Sequence, residues 1–254
     1  MASQKKSSAP PPPQGEDEGR AQASLWERLE RPAPAPRAAL TPHRIASVAI
    51  EIADTEGLDA ITMRRLAAEL GVAPMAAYRY VSGKDDVMEL MVDLVHGELE
   101  HSQADGWRET MRALALRTRA LMLKHPWLAQ LSPQAAFALT PNRMAVAERS
   151  LTALDSLGLN VDTMMAIVRT VDSYVHGATN AEITLHQLME GRGWSSDDEL
   201  KTGLAPQMIW LMGTGRYPTF QRYLLEGTHK DDPQWQFETG LDYILDGIAA
   251  RMGI

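Results

Sequence analysis

The sequence contains no cysteine, which removes disulfide frameworks, thiolate zinc sites and a cysteine nucleophile from consideration. No apolar run approaches the roughly 18 residues of a membrane span. Residues Met1 to Gly19 lack the apolar core of a secretory signal, so a soluble cytoplasmic protein is the expectation. Alternating β-branched runs that would read as strands are missing, and no internal repeat is evident. There is no His-Glu-x-x-His, no Gly-x-Ser-x-Gly and no phosphate loop. His96 and His101 stand five apart, a spacing that a helix does not bring onto one metal. Neither a metal nor a cofactor is expected. Basic residues are in deficit: 33 Asp and Glu face 25 Lys and Arg, a formal net charge of −8. A nucleic-acid binder of bulk basic character is excluded, whereas a local basic face is not.

What is present suits a globular chain. With 254 residues and 44% hydrophobic content, the length allows one large domain or two small ones. Eight of the 15 prolines fall between Pro10 and Pro42. Residues 1–39 have little to bury and are expected to form a disordered or polyproline II arm. Within it, Ser24 to Leu29 suit a single helical turn, and Arg28, Arg31 and Arg37 add positive charge.

From Leu40 the apolar pattern turns helical. Thr41-Pro42 reads as an N-cap followed by proline at the first helical position. Ile45, Val48, Ala49 and Ile52 then make one apolar face, which Gly57 stops. Met63, Leu66, Ala67 and Leu70 make a second, with Thr62 as its cap and Gly71 as its end. A short third helix is predicted over 73–81. Ser82-Gly83-Lys84-Asp85 suits the capping box of a fourth, whose buried face would be Val87, Leu90, Met91, Leu94 and Val95. Further helices are predicted over 107–124, 141–157, 161–189 and 235–252. The Gly-, Ser- and Asp-rich stretch 190–203 reads as a mobile loop.

The second and third helices around Gly71 form a compact helix-turn-helix, which can place its second helix in a DNA major groove. Between Thr62 and Lys84 four bases, Arg64, Arg65, Arg79 and Lys84, face the single acid Glu69. A phosphate-binding patch on an acidic chain has to be local in this way.

The string Ile61-Thr62-Met63-Arg64-Arg65-Leu66-Ala67-Ala68-Glu69-Leu70-Gly71-Val72-Ala73-Pro74-Met75-Ala76-Ala77-Tyr78-Arg79-Tyr80-Val81-Ser82-Gly83-Lys84-Asp85 resembles the DNA-binding region of the TetR family of repressors. Ala49, Glu51, Ala53, Glu56, Gly57 and Leu58 match that family's first helix. Tyr174-Val175-His176-Gly177 and Gly240 to Ile248 are similar to the two dimerisation helices of a tetracycline-repressor-type regulatory domain. The resemblance implies an all-α protein with an N-terminal three-helix DNA-binding domain (40–86) and a C-terminal helical domain for ligand binding and dimerisation (87–254). It implies that Thr62 caps its helix and meets a phosphate, that Arg64 reaches a base edge, and that Ala73 opens the recognition helix. Met75 and Ala76 would face the groove and touch thymine methyl groups. Tyr78, Tyr80 and Lys84 would meet phosphates, and Arg79 has a direction set by helix phase. Against this, Tyr78 and Tyr80 could be packing residues, and Arg64 and Arg65 a solvated helix face. Family members often carry Leu where Ala77 stands.

An inducible repressor needs a second site that selects one of two states. Helices 107–124, 141–157 and 161–189 could enclose an apolar cavity. Trp107, Trp127, Phe137, Met144, Met165, Trp210 and Met212 are candidate walls, and Arg169, Asp172, Tyr174, His176 and Asn180 are the polar interruptions of the long helix. Each is also compatible with ordinary core packing. The stretch after His125-Pro126, Trp127 to Ser132, holds no histidine where the tetracycline repressor has its metal ligand, so the resemblance carries the domain type and not the ligand. The expected partners are a palindromic double-stranded DNA operator, an unidentified small-molecule effector and a second copy of the chain, with no membrane. Two rivals stand beside this reading: a helical small-molecule enzyme, for which no catalytic constellation is legible, and a sensor that docks a protein through the helix-turn-helix.

Overall fold

The structure, a computed structural model, describes residues 24–30, 40–99 and 105–253. Among them there are twelve α-helices, two 3₁₀ turns and no strand. Residues 24–30 lie in a unit of their own, Met1–Arg37. There α1 (Leu25–Leu29) is closed by a capping box: Ser24 Oγ accepts the Glu27 N–H at 3.2 Å, and Glu27 Oε2 accepts the Ser24 N–H at 2.7 Å. The expected disorder of the rest of 1–39 lies outside the described residues.

The second unit starts with α2 (Pro42–Glu56), where Thr41 Oγ1 accepts the Arg44 N–H at 3.1 Å. Its buried face is wider than the predicted stripe: Ala46, Ile50 and Ala53 join Ile45, Ala49 and Ile52. After a 3₁₀ turn (Leu58–Ala60), Thr62 Oγ1 caps α3 (Met63–Glu69) through the Arg65 N–H at 3.1 Å. Gly71 then takes a left-handed φ of 67°. This lets the Val72 N–H reach Ala67 O at 3.0 Å and its own N–H reach Ala68 O at 3.1 Å, a Schellman closure. Any other residue would strain this turn.

The next helix, α4 (Pro74–Ala77), is shorter than the predicted 73–81. Beyond Ala77 the chain continues in tight turns, with the Tyr80 and Val81 N–H groups both on Ala77 O. Those turns swing Val81 into the core, where it is 1% exposed. Ala77 is fully buried, so the small side chain is accommodated without a void-filling leucine. The predicted capping box does not form, because the cap is a glycine without a side-chain acceptor. Gly83 caps α5 (Lys84–Gly97), which makes Asp86 rather than Asp85 the third helical residue, and Asp86 Oδ2 accepts the Ser82 N–H at 2.7 Å.

The remaining helices are α6 (Trp107–Lys124), α7 (Pro133–Ala136), α8 (Pro141–Asp155), α9 (Val161–Arg192), α10 (Asp197–Gly213), α11 (Pro218–Glu226) and α12 (Pro233–Met252), with a 3₁₀ turn at Pro126–Gln130. The stretch 190–203 is not a loop. Only residues 193–196 interrupt the helices, because Ser196 Oγ caps α10 at the Glu199 N–H. The acids that looked loop-like, Asp197, Asp198 and Glu199, instead occupy a first helical turn, where the helix dipole favours them.

The larger core joins α6, α8, α9 and α12 through Met111, Leu154, Val171, Val175, Leu241 and Leu245. Tyr174 Oη donates to Phe237 O at 2.7 Å, and Gly240 makes room for that phenol: a Cβ there would lie 2.2 Å from the hydroxyl. Arg119, 8% exposed, forks onto both Glu182 oxygens at 3.0 and 3.1 Å and lies over the Phe237 ring. No residue of α10 or α11 is buried. Among the described residues no helix is long and apolar enough to cross a membrane.

One polar clamp joins the helix-turn-helix region to the rest. Asp54 of α2 accepts from His125 Nδ1 and from Trp127 Nε1, both at 2.8 Å, and both rings are 2% exposed. Replacing Asp54 by Ala leaves two buried donors unsatisfied and is expected to lower unfolding free energy by about 2–4 kcal/mol in urea titrations. A loss under about 1 kcal/mol would show that the clamp does not hold the two parts together.

Candidate nucleic-acid interface and cavity

The nine residues expected at DNA lie at the start of α3, on α4 with its following turns, and at the start of α5. Thr62, Arg64, Ala73, Met75, Tyr78, Arg79 and Lys84 are exposed, Ala76 and Tyr80 are half-buried, and none is in the core. Met75 is 73% exposed. Arg64 and Arg79 make no ion pair among the described residues. Arg65 differs from them. Its guanidinium meets Glu69 Oε1 at 2.9 Å and Glu56 Oε1 at 2.8 Å, and the Glu69 bond together with the Glu56 charge raises its pKa. Its charge is therefore answered within the protein. Lys84 Nζ donates to Leu58 O at 2.8 Å, which fixes its ammonium beside the 3₁₀ turn and leaves two N–H bonds for other acceptors.

A cavity of about 300 Å³ opens between α5, α6, α8 and α9. Of the residues expected at a ligand, the structure brings Phe137, Met144, Arg169, Asp172 and His176 to its wall. It places the others elsewhere. Trp107 packs against the core cluster, Trp127 is spent on the Asp54 clamp, and Met165 and Asn180 do not line the cavity. Trp210 is 70% exposed on α10 and, like Met212, stays outside. Tyr174 instead lines a second recess, of about 870 Å³, between α9, α10, α11 and the start of α12.

Sequence reasoning missed His96, Thr118 and Arg143 in the cavity wall. His96 lies on the last turn of α5 and Arg143 on the first turn of α8, where each reads as ordinary helix-end polarity. Only their convergence on α9 distinguishes them. Arg143 Nη1 donates to Ala136 O at 2.7 Å and Ala138 O at 3.2 Å, tying down the segment that carries Phe137 and Leu139 at the mouth. Burial lowers its pKa, partly offset by the charge of Asp172. His176 bonds Asp172 one turn away, Nδ1 to Oδ1 at 3.3 Å, and this bond raises the His176 pKa. Burial pushes the Asp172 carboxyl upward, but the bond and charge of His176, with Arg143 and His96, hold it below its ordinary value.

Residues 45–91 match the family profile described as bacterial regulatory proteins, tetR family, and residues 101–252 match that of the tetracyclin repressor-like C-terminal domain. The chain is 37% identical over 228 residues to the HTH-type transcriptional repressor DrrR1 of Streptomyces coeruleorubidus, covering 88% of this chain and 83% of the relative. It is 31% identical over 238 residues to an HTH-type transcriptional regulator of Saccharopolyspora erythraea, covering 92% and 94%. Among solved structures, the Streptomyces coelicolor TetR family protein ActR in complex with actinorhodin is similar at a TM-score of 0.66 and 28% identity, covering 84% of this chain and 97% of that one. Fold and surface define a helix-turn-helix transcriptional regulator with a helical C-terminal domain. The chain belongs to the TetR family of bacterial regulatory proteins. It is a DNA-binding transcriptional repressor and not an enzyme.

The cavity makes stability depend on pH. Burial pushes the His96 imidazole from 6.5 down to about 4, against the opposing bond from its Nδ1 to Val92 O. The unfolded chain then binds a proton there before the folded one does, so stability present above about pH 6.5 drains away towards pH 4. His176 acts in the opposite sense: its contribution holds below its unfolded value and is lost as pH rises through its raised folded value. The thermal midpoint of His96→Gln is expected to fall less than that of the wild type between pH 6.5 and 4. Coincident curves for the two proteins would contradict the assignment.

Proposed function

We propose that this repressor works as a cytoplasmic homodimer, released from a palindromic operator by a small molecule bound in the cavity between α5, α6, α8 and α9. Residues 40–86 form the DNA-binding domain, and residues 87–254 bind the effector and dimerise. The observation that carries this reading is the double membership of α5. Its first residue, Lys84, belongs to the exposed basic face, and His96 near its end lines the cavity.

Movement of the cavity wall has a path to α5. Asp93 of α5 accepts the Asn142 N–H at 2.7 Å and its side-chain amide at 3.1 Å, and Asn142 is the neighbour of Arg143. Gly97 permits this approach, since a Cβ there would lie 3.0 Å from the Asn142 amide nitrogen. That ActR is described in complex with actinorhodin supports a ligand in this domain type.

At DNA, Arg64 reads a base edge, because a guanidinium matches the two acceptors of guanine. Met75 and Ala76 touch thymine methyl groups, and Ala73 sets the entry of the recognition helix. Thr62, Tyr78, Tyr80 and Lys84 hold phosphates, joined by Arg79. The dimer forms through α9 and α12, packed as a four-helix bundle with the same pair from a second copy. Exposed Leu185, Leu188 and Tyr243 on these helices support it. The two recognition helices then enter successive major grooves about 34–36 Å apart.

Selection from a random duplex pool is expected to enrich a palindrome with half-sites one helical turn apart, bound with a steep salt dependence. Enrichment of nothing at low salt would sink the reading. On the selected operator, Arg64→Ala is expected to lose about 1–3 kcal/mol and to relax one base position. Tyr78→Phe is expected to weaken all sequences alike, with the consensus unchanged, in the same binding assay.

A further inference from the structure

The charges inside the 300 Å³ cavity do not balance. Five titratable side chains face it: His96 from α5, Arg143 from α8, and Arg169, Asp172 and His176 from α9, while α6 contributes none. Asp172 is matched by His176 one turn away. His96 is half-buried and donates its Nδ1–H to Val92 O rather than meeting a carboxylate. That leaves two arginines. Neither Arg143 nor Arg169 makes an ion pair among the described residues, and Arg143 is half-buried. All of its hydrogen bonds among those residues leave from Nη1 towards backbone carbonyls of the mouth segment, so Nε and Nη2 have no protein acceptor. Burial disfavours that charged guanidinium, the Asp172 charge offsets this only in part and without a direct bond, and its planar fork suits two acidic oxygens. The rest of the wall is mostly apolar, with Met111, Leu114, Val168 and Val175 beside the hydroxyls of Thr118 and Ser150. Two arginines against one carboxylate thus give the cavity a positive balance on a chain of net charge −8.

We propose that the cavity selects a small apolar organic anion, whose carboxylate, sulfonate or phenolate oxygens sit on Arg143 while its hydrophobic body lies against α6 and α9. The inference rests on the effector reading above and names the class of molecule that the site takes. Because Nη1 of Arg143 already holds Ala136 and Ala138, an anion on the same guanidinium also closes the mouth over itself. A neutral molecule of equal shape gains the apolar contacts alone.

The test uses the full chain and a matched pair of fluorescent probes: 1-anilinonaphthalene-8-sulfonate, an anion, and N-phenyl-1-naphthylamine, its neutral counterpart. Wild-type protein is expected to bind the anion more tightly. Arg143→Gln is expected to raise the Kd of the anion about ten-fold or more while moving that of the neutral probe less than about two-fold. Arg143→Lys, which keeps the charge and loses the fork, should fall between them.

Equal loss of both probes in Arg143→Gln would mean that the arginine only holds the mouth segment, and would overturn the proposal. So would unchanged anion binding in that variant, or no binding of the anion to wild type. These readouts do not involve DNA. Operator release by the bound probe is scored separately, so anion selectivity without release would refute the effector reading and leave the charge preference standing.

Discussion

The structure depends on one helix being buried on two sides. α5 carries Val87, Met88, Leu90, Met91, Val92 and Val95 in buried positions, more of its circumference than a surface helix commits. One side closes the core of the helix-turn-helix region against α2, and the other packs on α7 and α8. A helix held in this way cannot tilt without repacking both neighbours, because interiors are close-packed and shift between discrete arrangements. The DNA-facing turn and the cavity wall are therefore parts of one mechanical element rather than separate modules.

Electrostatics refine what that element presents. Two of the places where the acidic chain carries positive charge are the face of α3 to α5 and the wall of the cavity. On the α3 to α5 face one arginine is answered internally and others are not, and behind the cavity a further arginine is. Arg65 is held by Glu56 and Glu69, and Arg119 by Glu182, so these serve the fold. Arg64, Arg79, Arg143 and Arg169 lack such partners among the described residues, which is why the proposed DNA and anion contacts use them. The buried Arg119 fork and the Tyr174 bond join α6, α9 and α12 into a stiff support behind the cavity.

Much of the DNA-binding half was legible because its signals are local. Thr41-Pro42, Thr62 and Gly71 act within four or five residues of themselves, and each does what its chemistry implies. Local signals failed where two meanings share one composition. The acids at 197–199 suit a loop or a first helical turn, and Ser196 decides between them. Helix 73–81 was overestimated because apolar spacing does not reveal where Val81 must turn inward.

The sequence by itself determined an all-helical chain with a basic helix-turn-helix on an acidic background, since capping, periodicity and charge placement are written within a few residues; the repressor class came from the resemblance of residues 61–85 to the TetR family. The cavity was decided only by the tertiary structure. Trp107 and Trp127 looked like walls and are structural, while His96 and Arg143 looked like helix ends and line the site. The physical reason is that a binding site lies where side chains from helices distant in sequence converge. Which face each helix turns inward is settled by the packing of all of them together.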